Sequence, residues 1–225
     1  MTPTIGPILS VRARGELACF TRPELKVERV SYPVMTPSAA RGLLEAILWK
    51  PGMSWRVERI RVLSPIRFIA FRRNEVATKA ARPSRALVES GGTPPVYFAD
   101  DDRSQRNTVA LRDVDYEIEA RIAMTRRAGP QDNLTKFVAM FQRRLERGQH
   151  FHHPYLGCRE FPAWVEPPPA PPRPIDETRD LGIMLWDLDY REGDIRPRFF
   201  EARLENGVLE VPQDPEKTFA AGDAE

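Results

Sequence analysis

The sequence predicts an α+β protein: a ferredoxin-like sheet with helices on one face, followed by a small antiparallel β-sheet. Three observations carry that expectation. Segments alternating apolar and polar residues are interrupted by two segments of helical spacing. The order reads strand, helix, strands, strand, helix, strand, which suits a sheet covered on one side. Six prolines within residues 167–174 then form a stiff, extended linker ahead of three short strand-like pieces.

The elements follow in order. Ile8 to Arg14 alternates as a half-buried strand does. Thr36 caps a helix with Pro37 at its first position, where a missing N–H does no harm. Ala40, Leu43, Leu44 and Ile47 fall at helical spacing, and Pro51-Gly52 stops the element. Trp55 to Phe71 reads as two strands broken near Ser64-Pro65, with Val57, Ile60, Val62, Ile66, Phe68 and Ile69 in the core. Glu75 to Asp102 reads as a loop insertion. Val109 to Met124 is a strand with Val114, Tyr116, Ile118, Ala120 and Ile122 on one face. A second helix runs from about Asn133 to Arg147 and ends at Gly148. A strand is expected over Gly157 to Val165, and further ones over Leu181 to Tyr190, Arg198 to Leu204 and Val208 to Val211. Asn206-Gly207 makes a hairpin turn between the last two. The polar tail from Pro212 frays.

Composition limits function. The chain has 225 residues, 41% apolar and 29% charged, enough for a core in a soluble protein of one domain or two small ones. Its 34 basic and 32 acidic side chains give a net charge of +2, so bulk charge does not indicate nucleic acid. Only segregation of the basic residues would. No apolar run reaches membrane-spanning length and no signal peptide opens the chain, so a cytoplasmic protein without membrane contact is expected. Cys19 and Cys158 match no metal-ligand spacing and are expected as free thiols. The absence of phosphate-loop, dinucleotide, nucleophile-elbow and zinc-protease motifs excludes a nucleotide-hydrolysing enzyme and implies no cofactor.

The second helix carries the clearest chemical pattern. Lys136, Arg143 and Arg147 share a narrow arc with Arg144 beside them, opposite Leu134, Phe137, Val138, Phe141 and Leu145. Such a stripe is either a solvated face or a track for phosphates. The next segment holds all three histidines, His150, His152 and His153. No cysteine or carboxylate stands at metal-ligand spacing beside them, so no metal is expected. They are either proton carriers near neutral pH or ordinary loop histidines. Arg72 and Arg73 end a strand, and Arg22, Lys26, Arg29 and Arg41 form another basic group. Arginine suits phosphate by its two-pronged fork, yet each can equally pair with Glu24, Glu28 or Glu75. The four tryptophans, Trp49, Trp55, Trp164 and Trp186, are expected in the core.

Several runs are specific in a way that folding alone does not require. They are Ala18-Cys-Phe-Thr-Arg-Pro-Glu-Leu-Lys-Val-Glu-Arg-Val-Ser-Tyr32, Thr36-Pro-Ser-Ala-Ala-Arg-Gly42, Trp49-Lys50-Pro51, Pro65-Ile-Arg-Phe68, Arg72-Arg-Asn-Glu-Val76, Pro154-Tyr-Leu-Gly-Cys-Arg-Glu-Phe-Pro162 and Asp180-Leu-Gly-Ile-Met184. In these the chain resembles the Cas-five family, d subtype, of type I-C CRISPR systems. The resemblance implies a ferredoxin-like, RRM-like domain of the repeat-associated RNA-binding type over residues 1–166, with an insertion at about 75–105. It implies a Pro-rich linker over 167–174, a small β-domain over 175–212 and a tail over 213–225. It also implies an endoribonuclease that cuts CRISPR repeat RNA without metal, the 2′-hydroxyl attacking the phosphate to leave a 2′,3′-cyclic end. Such a protein then keeps the 5′ handle of the guide RNA, beside backbone subunits and a large subunit of the surveillance complex. Some relatives also bind double-stranded DNA.

The resemblance places a lysine at Lys136, a histidine at the next position and a tyrosine or histidine before Trp-Lys-Pro. Here Lys136 matches, but Phe137 and Leu48 occupy the other two positions, and hydrocarbon side chains transfer no protons. Lys136 is therefore expected to stabilise the phosphorane. One of His150, His152 and His153, with His152 favoured, takes over acid or base duty. The rival reading is a handle-binding scaffold without nuclease activity. The expected RNA-binding set is Arg22, Lys26, Arg29, Arg41, Lys50, Arg72, Arg73, Arg143, Arg144, Arg147 and Arg159.

Overall fold

The computed structural model describes residues 4–25, 27–79, 81–94, 96–169, 171, 173–189 and 195–220. Lys26, Tyr190 and the end of the expected tail lie outside the described residues. In chain order the elements are β1 (Ile5–Ala18), β2 (Arg29–Val30), α1 (Pro37–Ile47), β3 (Met53–Val62), β4 (Phe68–Val76), α2 (Arg85–Glu89), β5 (Arg103–Met124), α3 (Leu134–Glu146), β6 (Trp164–Glu166), β7 (Arg179–Asp189), β8 (Arg196–Glu205), β9 (Val208–Glu210) and β10 (Phe219–Ala220).

The strands form one sheet in the order β10-β8-β9-β3-β5-β1-β6. β5 is its spine. Its second half lies antiparallel between β1 and β3, with Ile118 opposite both Val11 and Ile60. Its first half pairs with β4, from Phe68 opposite Leu111 to Val76 opposite Arg103. Asp113 separates the halves with φ 52°, a conformation short polar side chains tolerate. The β1 register is unbroken across this point, with Leu17 opposite Arg112 and Gly15 opposite Val114.

The helices cover one face. Thr36 Oγ1 accepts from the Ala39 N–H at 3.2 Å, and Pro37 opens α1 as the sequence requires. α1 packs on β3 and β7, and α3 on β1 and β5. Val114, Tyr116, Ile118, Ala120 and Ile122 are all buried beneath them. The alternate residues of β1, β3 and β5 point the other way and neutralise one another. Arg12 meets Asp115 at 2.6 Å, Arg61 meets Glu117 at 2.9 Å and Glu119 at 2.5 Å, and Arg121 meets Glu58 at 2.7 Å.

Several expectations need correction. Of the strand expected over Gly157–Val165, only its end forms, as β6. Leu156 N–H bonds to the Phe161 carbonyl and closes the preceding residues into a turn. Gly157 has φ 83°, and a β-carbon there would lie 2.1 Å from the Cys19 carbonyl oxygen, so a pleated strand cannot pass. The insertion is not featureless, since it holds the end of β4, α2 and the start of β5. Phe68 is exposed, as are Trp49 and Trp164, rather than core. The tail past Pro212 is tied back, with Phe219 opposite Phe199. The hairpin turn forms as expected, with Asn206 at φ 48° and Gly207 at φ 73°.

Candidate nucleic-acid interface

α3 begins where Asn133 Oδ1 accepts from the Lys136 N–H at 2.9 Å. Its apolar side is fixed by Phe137, Phe141 and Leu145, all buried, and Trp55 meets Phe141 edge to face at 4.7 Å. The opposite flank therefore faces outward. Arg143 and Arg147 are exposed there and have no ion pair among the described residues. Lys136 Nζ lies 3.4 Å from Asp132 Oδ1 and 3.4 Å from the Gln131 carbonyl, a surface contact that a phosphate can displace.

The α1–β3 connection runs along this helix. At one end Arg144 donates to the Ile47 carbonyl at 2.6 Å, capping α1. In the middle Trp55 Nε1 donates to the Leu48 carbonyl at 2.9 Å. At the other end a β-carbon on Gly52 would touch Asp132, 2.8 Å away, and Thr125 Oγ1 donates to the Pro51 carbonyl at 2.6 Å. Trp49 and Lys50 thus stand exposed beside the cationic flank. Leu48 and Phe137 are buried, so both positions that lack a proton carrier have become core.

The histidine loop leaves the far end of α3. Phe151 N–H donates to the Ala46 carbonyl at 2.8 Å, so the loop is pinned to the end of α1 while the Phe151 ring is 84% exposed. His150 and His153 meet ring to ring at 5.2 Å, and His152 stacks on Tyr155 at 6.2 Å. His152 Nδ1 is 3.3 Å from the His153 carbonyl. A carbonyl only accepts, so Nδ1 is the donor in this contact, and Nε2 has no hydrogen-bond partner among the described residues. Lys136 and Arg147 are eleven positions apart, about 16 Å along the axis. No single phosphate meets both ends.

The other expected contacts divide sharply. Lys50, Arg72 and Arg159 are exposed with no ion pair among the described residues. Arg22 lies over the Tyr32 ring at 4.6 Å, with Glu24 at 3.6 Å. Arg29 is held by Glu75 at 3.2 Å and Glu160 at 3.0 Å, and Arg73 by the same two carboxylates and by Thr108. Arg41 grips Asp187 with both prongs, 2.9 and 2.8 Å, and Glu45 at 2.8 Å. Burial disfavours its charge, but these carboxylates more than compensate and raise its pKa. Glu45, four residues on, was legible as a helix partner. Asp187 was not, because it is 146 residues away.

A family model for the CRISPR-associated Cas5d proteins matches residues 8–212. A Mannheimia succiniciproducens protein named CRISPR pre-crRNA endoribonuclease Cas5d is 48% identical over 207 residues, covering 88% of this chain and 92% of that protein. One of the same name from Thermus thermophilus is 44% identical over 222 residues, covering 91% of each chain. A crystal structure of a CRISPR-associated protein has the same fold, with a TM-score of 0.71 at 20% identity, covering 96% of this chain and 97% of the other. The chain belongs to the Cas5d family of CRISPR-associated proteins.

Proposed function

We propose that this protein is a pre-crRNA endoribonuclease that cuts within the CRISPR repeat and keeps the 5′ handle as a subunit of the surveillance complex, beside its backbone and large subunits. The observation that carries the reading is the cationic flank of α3, where Arg143 and Arg147 have no ion pair among the described residues and Lys136 has only a surface contact with Asp132, with Trp49 and Lys50 alongside and the histidine loop at its end. The face of the sheet opposite the helices is neutralised by arginine–carboxylate pairs, which leaves the α3 edge as the track for phosphates. The order β3-β5-β1-β6, with α1 and α3 as crossovers, supports a ferredoxin-like unit of the RRM type over 1–166. β9 extends that unit's sheet into the 175–212 strands through its pairing with β3.

The cut is assigned to the Lys136 end. The 2′-hydroxyl before the scissile bond attacks phosphorus without metal, and Lys136, joined by Lys50, meets the charge that grows on the phosphorane. Water carries the protons that Leu48 and Phe137 cannot. The histidine loop, a helix length away, then grips flanking RNA. The Nε2 of His152, without a hydrogen-bond partner among the described residues, favours a second reading, in which the cut lies there and His152 is the base, with His150 or His153 as acid.

Single-turnover cleavage of repeat RNA in chelator separates these. Lys136→Ala is expected to slow the cut about 10²–10³-fold with little change in binding. A triple histidine-to-alanine variant should weaken binding and leave the rate at saturation unchanged. The reverse pattern moves the cut to His152. Tight binding of the repeat by the wild type with no cleavage leaves a handle-binding scaffold.

A further inference from the structure

Cys19 and Cys158 are 139 residues apart in sequence and touch in space. Cys158 Sγ lies 3.6 Å from the Cys19 carbonyl oxygen, to which it donates. Thr21 Oγ1 sits between them, 3.5 Å from one sulfur and 4.0 Å from the other. Their backbones run side by side, with Cys19 N–H donating to the Leu156 carbonyl at 3.0 Å. Gly157 lies so close to the Cys19 carbonyl that no side chain fits between. Adjacent backbones of this kind are what a disulfide, with its short S–S bond, requires.

The two sulfurs are not equivalent. Arg29 Nη1 donates to Cys158 Sγ at 3.4 Å, while Cys19 has no cation in contact among the described residues. Both are buried, Cys19 completely and Cys158 with 9% of its surface left exposed. The neighbouring Cys19 thiol, helped by Arg29, holds Cys158 below the usual thiol range, and the proximity of Cys158 together with burial pushes Cys19 up. Neither sulfur has a part in the RNA chemistry above.

We propose that Cys158 is a peroxide-oxidisable thiolate and Cys19 its resolving thiol, the pair closing a reversible disulfide that staples the end of β1 to the loop following the histidines. In the first step the Cys158 thiolate attacks a peroxide oxygen. An S–O bond forms, the O–O bond breaks, and the departing hydroxide takes up a proton to leave as water. The sulfur is oxidised to a sulfenic acid and the peroxide is reduced. Cys19 then attacks that sulfur. The S–S bond forms, the S–O bond breaks, and the proton of Cys19 leaves with the hydroxide as a second water. Arg29 loses its sulfur acceptor and keeps Glu75 and Glu160. Tyr155 and Gly157, which line a groove with Ser38, Ala39 and Gly42 of α1, are tethered with the loop.

The test uses the full chain, reduced and natively folded, exposed to a few equivalents of hydrogen peroxide. It is then denatured, alkylated and mapped by peptide mass. The expected result is loss of both alkylatable thiols and a linked Cys19–Cys158 peptide. The chain should stay monomeric on a non-reducing gel, and dithiothreitol should reverse the change. In Cys19→Ser the same treatment should leave a sulfenic acid on Cys158 that dimedone traps. In Cys158→Ser the buried Cys19 should stay unreacted. Two alkylatable thiols in treated wild type, disulfides only between chains, or oxidation at Cys19 first would each overturn the proposal. All of these readouts are independent of RNA cleavage.

Discussion

The arginines near the start of the chain and those along α3 look alike in sequence and serve opposite ends in the fold. Arg29, Arg41 and Arg73 each face two carboxylates and stitch together segments far apart in the chain. Arg143 and Arg147 face solvent with no ion pair among the described residues. A cation already matched by carboxylates has little left to offer a phosphate, and breaking its pairs leaves charges stranded. An unmatched cation costs the fold almost nothing and releases counterions when RNA arrives. On the function proposed above, the paired set is expected to serve the architecture and the unpaired set the ligand.

The widest gap between the two classes should appear with Lys136→Ala. Cleavage of repeat RNA should fall about 10²–10³-fold, roughly 3–4 kcal/mol of transition-state stabilisation, while the unfolding midpoint stays put. Equal losses of activity and stability would place Lys136 with the architecture. Arg41→Ala should do the opposite. It strands Asp187 and Glu45 between α1 and β7, and urea unfolding should show a loss of about 2–3 kcal/mol, discounted for partial exposure. A loss below about 0.5 kcal/mol would erase the distinction.

A smaller effect is expected from Arg143→Ala with Arg147→Ala. Binding should weaken by about tenfold, and the slope of log affinity against log salt should flatten by about 1–2. An unchanged slope, measured by titration at several salt concentrations, would remove these residues from the RNA path. The slightest change should come from Glu117→Gln. Glu117 is buried beside Arg61 and Glu119, and burial raises its pKa despite Arg61. Its folded value lies above its unfolded one near 4.3, so the ionised carboxylate detracts from stability. Wild-type stability should fall as pH rises from that value through the folded one, and the variant should lack this fall. Near neutral pH Glu117→Gln should be level or slightly more stable, since Arg61 keeps Glu119 at 2.5 Å. Marked destabilisation there would show that Glu117 contributes more as a charge than its burial costs.

What was legible in the sequence was local. Thr36-Pro37 and Asn206-Gly207 fix a cap and a turn by their own stereochemistry, and both formed as read. The spacing of Phe137, Phe141 and Leu145 fixed which side of α3 is buried. The rest depended on partners elsewhere. Gly157 breaks the expected strand only because Cys19 occupies the space beside it. Trp49 and Trp164 are exposed because of where their backbones lie, which no property of tryptophan dictates. Arg144 belonged by spacing with the cationic stripe but caps α1 instead. The split between paired and unpaired arginines was invisible for the same reason, since Glu160 and Asp187 lie on the far side of the chain from the arginines they hold.

The continuity of β5 has a mechanical consequence. The arm made by β4 and the first half of β5 is no hinged flap, because its inner strand runs on, past Asp113, between β1 and β3. It behaves as a cantilever whose root is clamped by two hydrogen-bonded ladders. A pull along β5 at Arg103 is borne as shear along those ladders, where many rungs resist together, instead of peeling one rung at a time. Whatever docks on the arm is thereby held in fixed register with the helices on the sheet.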